Sequence, residues 1–454
     1  MMDGSMEIFH CLRFDTGSKN RIVFLPFFHS ISLMKTIAII GAWAAGLMAA
    51  ATILESASVG SIRILLIEKN TFPGKKVIIS GWGRCNLTTG ITDKKLLLSK
   101  YIRWSDFLKS ALGKFSPKKC REWFESHGIP LKCEEDNRVF PSSDDGHDVV
   151  DVFENIFSQY RSSIDCRYGV SIESIQKMGD SYTIFTSKDE KICADICVLA
   201  TGWNAYKHTG STGDGYDFAR SLWHTITPLG PSLSSFLTKE SWLHTLSGLA
   251  FQSPLLHWGK IQSPAPVLLT HFWISGPGAF MLSAYMAFET LSSKQPISVL
   301  FQPDSTLATS DWNLYLQWAF LSHPKKLLTT ILSEKLPKRF SEAFVTEFFP
   351  QIATTFAGSI ARKDRESIAL LLGGWVPITL LERRPGDEFV TAGWVSTQEI
   401  YQETMESRIS SGLYLIWELI DVDAVTWGFN LQGCWSMGFM AGNAIVKTLD
   451  SPLV

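Results

Sequence analysis

The chain has 454 residues, enough for two or three packed domains around a large core. Apolar residues make up 45% and charged residues 19%, the composition of a soluble globular protein, which excludes disordered and fibrous classes. A net charge of −2, with Lys and Arg only in short scattered runs, points away from a nucleic-acid surface, and eight cysteines with no CxxC pair or Cys/His zinc spacing point to a metal-free protein of the reducing cytoplasm.

Residues 1–33 read as an extension without a packed role: the apolar run 22–31 has no small-residue cleavage site after it, and Met34-Lys35 directly precedes the first strand pattern. The stretch 35–86 organises the rest. A β-branched run (36–40) turns at Gly41, continues as an Ala/Leu/Met-rich helix, and is followed by a second apolar run (62–67) ending in Glu68. Strand, glycine turn, helix, strand and acid form the unit that holds a dinucleotide: the pyrophosphate sits on free helix N–H groups, and an acid about 20 residues on accepts from a ribose hydroxyl. Gly46 allows close helix–strand packing, but the turn reads GAWAAG, and Trp43 stands where a small residue should admit the phosphate. The uncharged run 36–54 would suit a membrane span by hydropathy, yet the turn and Glu68 explain it as a buried strand–turn–helix, so no membrane association is expected.

Beyond Glu68 comes PGKKVIISGWGRCN (73–86), then helical periodicity from 101, a short strand-rich excursion HGIPLKCEEDNRVFPSSD (127–144), a helix over 151–160 and strands over 164–175 and 182–185. The run 196–202 is a buried strand ending in Ala-Thr-Gly, with Cys193 before it and Cys197 within it read as small buried hydrophobes, and HTGSTGDGYDFA (208–219) leads into a helix. From 228 to 385 short strands precede a helical block (312–349), and LLTHFWISGP (268–277) contains His271. The end of the chain carries 391–395 and GLYLIWELIDVDAVTWGFNLQ (412–432), a strand with a following acid, a turn and a helix.

These four motif blocks, in this order from 34 to 449, resemble the BaiN/YhiN-like FAD-dependent oxidoreductases. The resemblance implies an α/β, two-dinucleotide-binding (Rossmann-like) FAD fold with an inserted β-rich plus helical domain. Its parts would be a cofactor domain at 34–225 and 386–454 and a substrate domain at 226–385. It implies FAD as cofactor, held by Gly41, the Trp43 position, Gly46, Glu68, Lys76, Gly81, Arg84, Cys85, Asn86, Ile172 near the adenine, Thr201, Gly202, Glu418 near the ribityl or phosphate groups, Asp421, Gly428, and the Asn430 turn near the isoalloxazine. It also implies reduction of a small organic substrate, at a carbon–carbon double bond or a similar group. NAD(P)H would visit transiently, since no second glycine motif exists, and Arg84, Cys85 and His271 are the catalytic candidates. RNA modification, a further possibility, is disfavoured by the near-neutral charge.

At eight of the sixteen tryptophans (43, 82, 203, 223, 273, 394, 417 and 427) the family pattern has glycine. Drift would not choose tryptophan repeatedly at turns that need a bare backbone. The pattern points to UGA codons read as tryptophan where the source reads glycine, whereas Trp123, Trp242 and Trp435 fit sites for a large aromatic. If every indole is real, the alternative is a non-catalytic protein of this fold that cannot hold FAD.

Overall fold

The structure is a computed structural model and describes residues 34–57, 62–202, 204–205, 209–386, 388–417, 419–426 and 428–450. The expectations for residues 1–33, Trp203, Glu418 and Trp427 lie outside these.

A five-stranded sheet organises the first core. Its strands are β1 (Lys35–Ile40), β2 (Ile62–Glu68), β3 (Ile164–Tyr168), β4 (Ile196–Leu199) and β5 (Leu413–Leu415), in spatial order β5-β4-β1-β2-β3, with every pairing parallel. The runs are almost continuously apolar because helices cover the sheet. The order reverses between β1 and β4, and such a switch point leaves a crevice beyond the carboxyl ends of the strands.

The uncharged run resolves into β1, a turn and α1 (Ala44–Ser56), which buries nearly its whole length. Among the described residues no helix is long and apolar enough to cross a membrane. Two further helices matter at the site: α2 (Lys75–Ile79) and α3 (Asp214–Ser221). The last, α4 (Phe429–Asp450), lies against α1. Glycines make that crossing close: a Cβ at Gly438 would come within 2.4 Å of the Ala45 carbonyl oxygen, and one at Gly442 within 2.7 Å of the Thr52 Cβ.

Between 236 and 383 an eight-stranded sheet, antiparallel throughout, joins strands far apart in the chain, Phe236–Thr238 pairing with both Trp273–Ser275 and Val376–Arg383. Helices Thr309–Ser322, Leu328–Leu332 and Lys338–Phe348 cover it with Trp312, Phe340 and Phe344, forming a second core. The sheet is larger than the small β-rich part expected from the sequence, because strands of two to eight residues are short for a periodicity signal. The helix expected over 151–160 begins earlier, at His147.

Candidate functional site

The crevice sits at the ends of β1, β2 and β4. Gly41 leaves β1 at φ +104°, where an added Cβ would meet the Ala200 carbonyl oxygen at 2.2 Å, and its N–H donates to the Ile67 carbonyl at 2.8 Å. Gly46 faces the turn so closely that a Cβ would lie 2.0 Å from the Gly41 oxygen. Both glycines are therefore required by sterics, and the first turn of α1 starts directly over the sheet.

Glu68, at the tip of β2, is buried. Its carboxylate accepts the Ala42 N–H at 2.9 Å, the Asn70 N–H at 2.8 Å and the Asn70 side-chain amide at 2.7 Å. Burial pushes its pKa up from the ordinary 4.5, opposed by the Asn70 and Ala42 donors. The acid expected to reach a ribose hydroxyl thus braces the glycine turn itself. Gly41, Trp43, Glu68, Lys69, Ile172, Thr201, Gly210, Gly213 and Asp214 line the remaining space, a cavity of about 30 Å³.

Trp43 accounts for that size. Its side chain is 4% exposed, it occupies the N-cap of α1 without a side-chain hydrogen bond, and the Lys76 ammonium stands 4.0 Å from its ring centroid while donating to Ser211 Oγ. Gly41, Gly46, Gly202 and the α1 N-terminus suit a pyrophosphate; the indole does not. With tryptophan at 43 the residues present do not fit a bound dinucleotide.

The loop after α2 turns at Gly81 (φ +60°), Trp82 (φ +64°), Gly83 and Cys85 (φ +56°). Asn86, with its amide oriented to satisfy both ends, bridges the Thr88 carbonyl and the Gly428 N–H, tying this loop to the entrance of α4. Arg84 points elsewhere, to Glu134 at 2.5 Å and Asp144 at 2.7 Å, with its guanidinium over Phe140. Cys85 is fully buried, and burial pushes its thiol up to about 12, so it is not placed to act as a thiolate. Asn430 closes back on the Ala424 N–H and on the Ala424 and Val425 carbonyls. His271 is exposed in the turn between Val267–Leu269 and Trp273–Ser275, on the second sheet rather than at the crevice.

Backbone conformation sorts the tryptophans in a way that sequence could not. Among the described residues nine non-glycines have positive φ, and three are tryptophans: Trp82 (97% exposed), Trp223 (φ +68°, 67% exposed) and Trp104 (φ +50°), which lies outside the glycine-substituted motifs. Such a share falls on a residue type with no reason to prefer that region. Trp417 is buried with its Nε1–H unpartnered among the described residues, pressed so closely on α4 that a Cβ at Gly433 would meet its ring at 2.5 Å. By contrast Trp435 donates to the Leu87 carbonyl at 2.9 Å and stacks on Phe153, and Trp123 stacks there too. Trp394 packs edge-on against Tyr216, and Trp273 lies in its strand beneath Arg384.

A buried polar chain lies outside every sequence motif. His224, wholly buried, lies 2.9 Å from Glu399 Oε2 through Nδ1 and 2.9 Å from Ser407 Oγ through Nε2. It resembles an activated serine, but Ser407 Oγ already accepts the Ile409 and Ser410 N–H groups, so its lone pairs are committed to the turn. The role is to pin 224, 399 and 407 together. Burial pushes His224 below the ordinary 6.5 despite Glu399. A depressed histidine contributes stability that is complete above its unfolded pKa and is lost as pH falls below it. Thermal melts should therefore drop between pH 7 and 5, by at most about 1.4 kcal/mol per pH unit from this group, and His224→Gln should flatten the drop. An equal slope in both proteins would remove His224 as its cause.

The model of the HI0933-like protein Rossmann domain matches residues 35–444. A 3-dehydro-bile acid delta(4,6)-reductase of Clostridium scindens is 28% identical over 425 residues, 91% of this chain and all of that protein. A ribosomal RNA dihydrouridine synthase of Escherichia coli is 27% identical, covering 91% of this chain and 98% of that one, and one of Haemophilus influenzae is 27% identical over 90% and 98%. Among solved structures, Escherichia coli quinol fumarate reductase FrdA overlays with a TM-score of 0.46 at 13% identity, across 93% of this chain and 72% of that one. With a parallel sheet, a glycine turn at its switch point and a family match over most of its length, the chain belongs to the HI0933-like family of Rossmann-fold flavoprotein oxidoreductases.

Proposed function

We propose that the protein, with glycine at position 43, is an FAD-dependent reductase that adds hydrogen across a ring carbon–carbon double bond, with NAD(P)H as a visiting donor. Residues 34–225 and 386–454 would form the cofactor part and 226–385 the substrate part. The observation that carries this is the cradle itself: Gly41, Gly46 and the brace from Glu68 aim the N-terminus of α1 at the crevice at the sheet's switch point. The names of the bile-acid and dihydrouridine relatives both denote saturation of a ring double bond. Bound flavin would supply the redox chemistry, and the protein its orientation and electrostatics.

The test is anaerobic addition of NADPH or NADH to the glycine-bearing protein. Bleaching of the yellow absorbance by either donor is expected; a flavin that neither one bleaches would sink the donor assignment. A second reading, a non-catalytic protein of this fold, is favoured by one observation, the filled cradle at Trp43. It predicts tryptophan codons that every genetic code reads alike.

A further inference from the structure

A second and larger cavity opens on the outer side of the first core, away from the dinucleotide cradle. It lies between helices Lys109–Lys114 and Pro117–Ser126 and the later half of α4, and encloses about 520 Å³. Small-molecule sites ordinarily occupy about 300–1,000 Å³. Phe439, on its wall, is ten residues beyond Phe429, about 15 Å along α4 from the end that Asn86 ties to the cofactor loop. The groove is therefore separate from the crevice.

Its floor is apolar and already ordered. Phe115 and Phe439 stack with ring centroids 4.5 Å apart, and Met440 is buried beside them. Trp123 is fixed by its indole N–H, which donates to Glu55 at 3.3 Å, and its ring packs on His127 at 4.1 Å and Phe153 at 5.6 Å. Stacking within the protein engages these rings, and the Met440 thioether adapts to irregular neighbours. Such an uneven apolar surface suits a flexible chain better than a flat ring.

The rim is basic. Lys114, Lys119 and Lys447 border the floor against one acid, Glu122, whose carboxylate faces Lys118 at 3.7 Å. Lys119 Nζ donates to the Lys114 carbonyl at 3.0 Å, which uses one of its three donors and holds the ammonium at the end of helix Lys109–Lys114. Among the described residues no carboxylate pairs with Lys114 or Lys119. On a chain of net charge −2, three ammonium groups around an apolar depression reverse the sign locally.

We propose that this groove binds a single-chain anionic amphiphile, an acyl carboxylate, with its chain along Phe115, Trp123, Phe439 and Met440 and its head group among the three lysines. The exposed ammonium groups select the sign of the head group and add modestly to affinity, whereas the chain supplies most of it, at about fourfold per buried methylene. The site does not depend on which residue stands at position 43.

The experiment titrates dodecanoate, below its micellar concentration, into the full chain by isothermal calorimetry. One saturable site per chain is expected, with octanoate at least about tenfold weaker and dodecyltrimethylammonium unable to compete. Lys119→Glu with Lys447→Glu should weaken dodecanoate at least about tenfold, and Lys114→Glu with Lys119→Glu repeats the test without touching α4. Lys260→Glu with Lys294→Glu, on exposed turns outside the first core, should bind as the parent does. Absence of a saturable site, equal affinity for octanoate, competition by the cation, or rim variants that bind like the parent would each overturn the assignment. Flotation with phosphatidylglycerol vesicles free of fatty acid separates the other source of such a ligand: co-flotation of the parent that both rim variants lose would assign the groove to a lipid surface and overturn the free-acid reading.

Discussion

Replacing Trp43, Trp82, Trp203, Trp417 and Trp427 by glycine should turn a colourless protein into a yellow one that keeps about one flavin per chain through gel filtration. The physical reason is concentrated at position 43, where a buried indole under the Lys76 ammonium leaves a cavity of only about 30 Å³ at the N-terminus of α1. Removing it uncovers the N-terminus of α1, whose unpaired N–H groups favour an anion. Trp43→Gly should be necessary but insufficient, because Trp417 still presses on α4 at Gly433. Trp82→Gly, at a solvent-exposed positive φ, should in addition stabilise the protein by about 1 kcal/mol, the cost of holding a Cβ-bearing residue in the left-handed region. The gene decides the origin without any protein: UGA at the eight positions, with UGG at Trp123 and Trp242, establishes recoding, and Trp104, judged by its backbone, should carry UGA as well. A colourless five-glycine protein, or UGG throughout, would sink this account.

Glu68→Ala should destabilise the flavin-free protein by about 2–4 kcal/mol, since three hydrogen bonds to a charged acceptor are lost and relief of a buried charge returns only part of that. Chemical denaturation of parent and variant, both without flavin, measures it. A carboxylate whose only duty was a ribose hydroxyl would leave stability unchanged and alter flavin retention alone, which is the result that would refute the brace. The pH dependence has a definite sign. The folded pKa is raised above 4.5, so the stability this group contributes is complete below that value and is lost as pH rises through the folded pKa. Glu68→Gln should remove that slope.

The parallel sheet was legible from the sequence because β1, the Gly41 turn, α1 and β2 each carry a local signal, and Gly46 has a steric reason that spacing alone reveals. The duty of Glu68 was not legible, since the pattern places an acid at the strand tip but says nothing of the Ala42 N–H that reaches it first. Arg84 and Cys85 show the same limit. Their loop was identified, but the positive φ at Cys85 turns one side chain inward while Glu134 and Asp144 draw the other outward. Trp104 sits outside every motif, and only its backbone and its bond to Asp421 mark it. The strand order of the second sheet depends on pairings such as Phe236–Thr238 with Val376–Arg383, contacts that no local pattern encodes.

The packing of α4 on α1, through Gly438 and Gly442, joins the last described helix to the first. Synthesis runs from the amino end, so β1, α1 and β2 leave the ribosome long before β5 and α4 exist to cover them. The apolar face of α1 stays uncovered until α4 emerges, and contacts of such long sequence separation make the closing step slow. Premature termination anywhere before α4 would then leave the unfinished first core to aggregation or proteolysis.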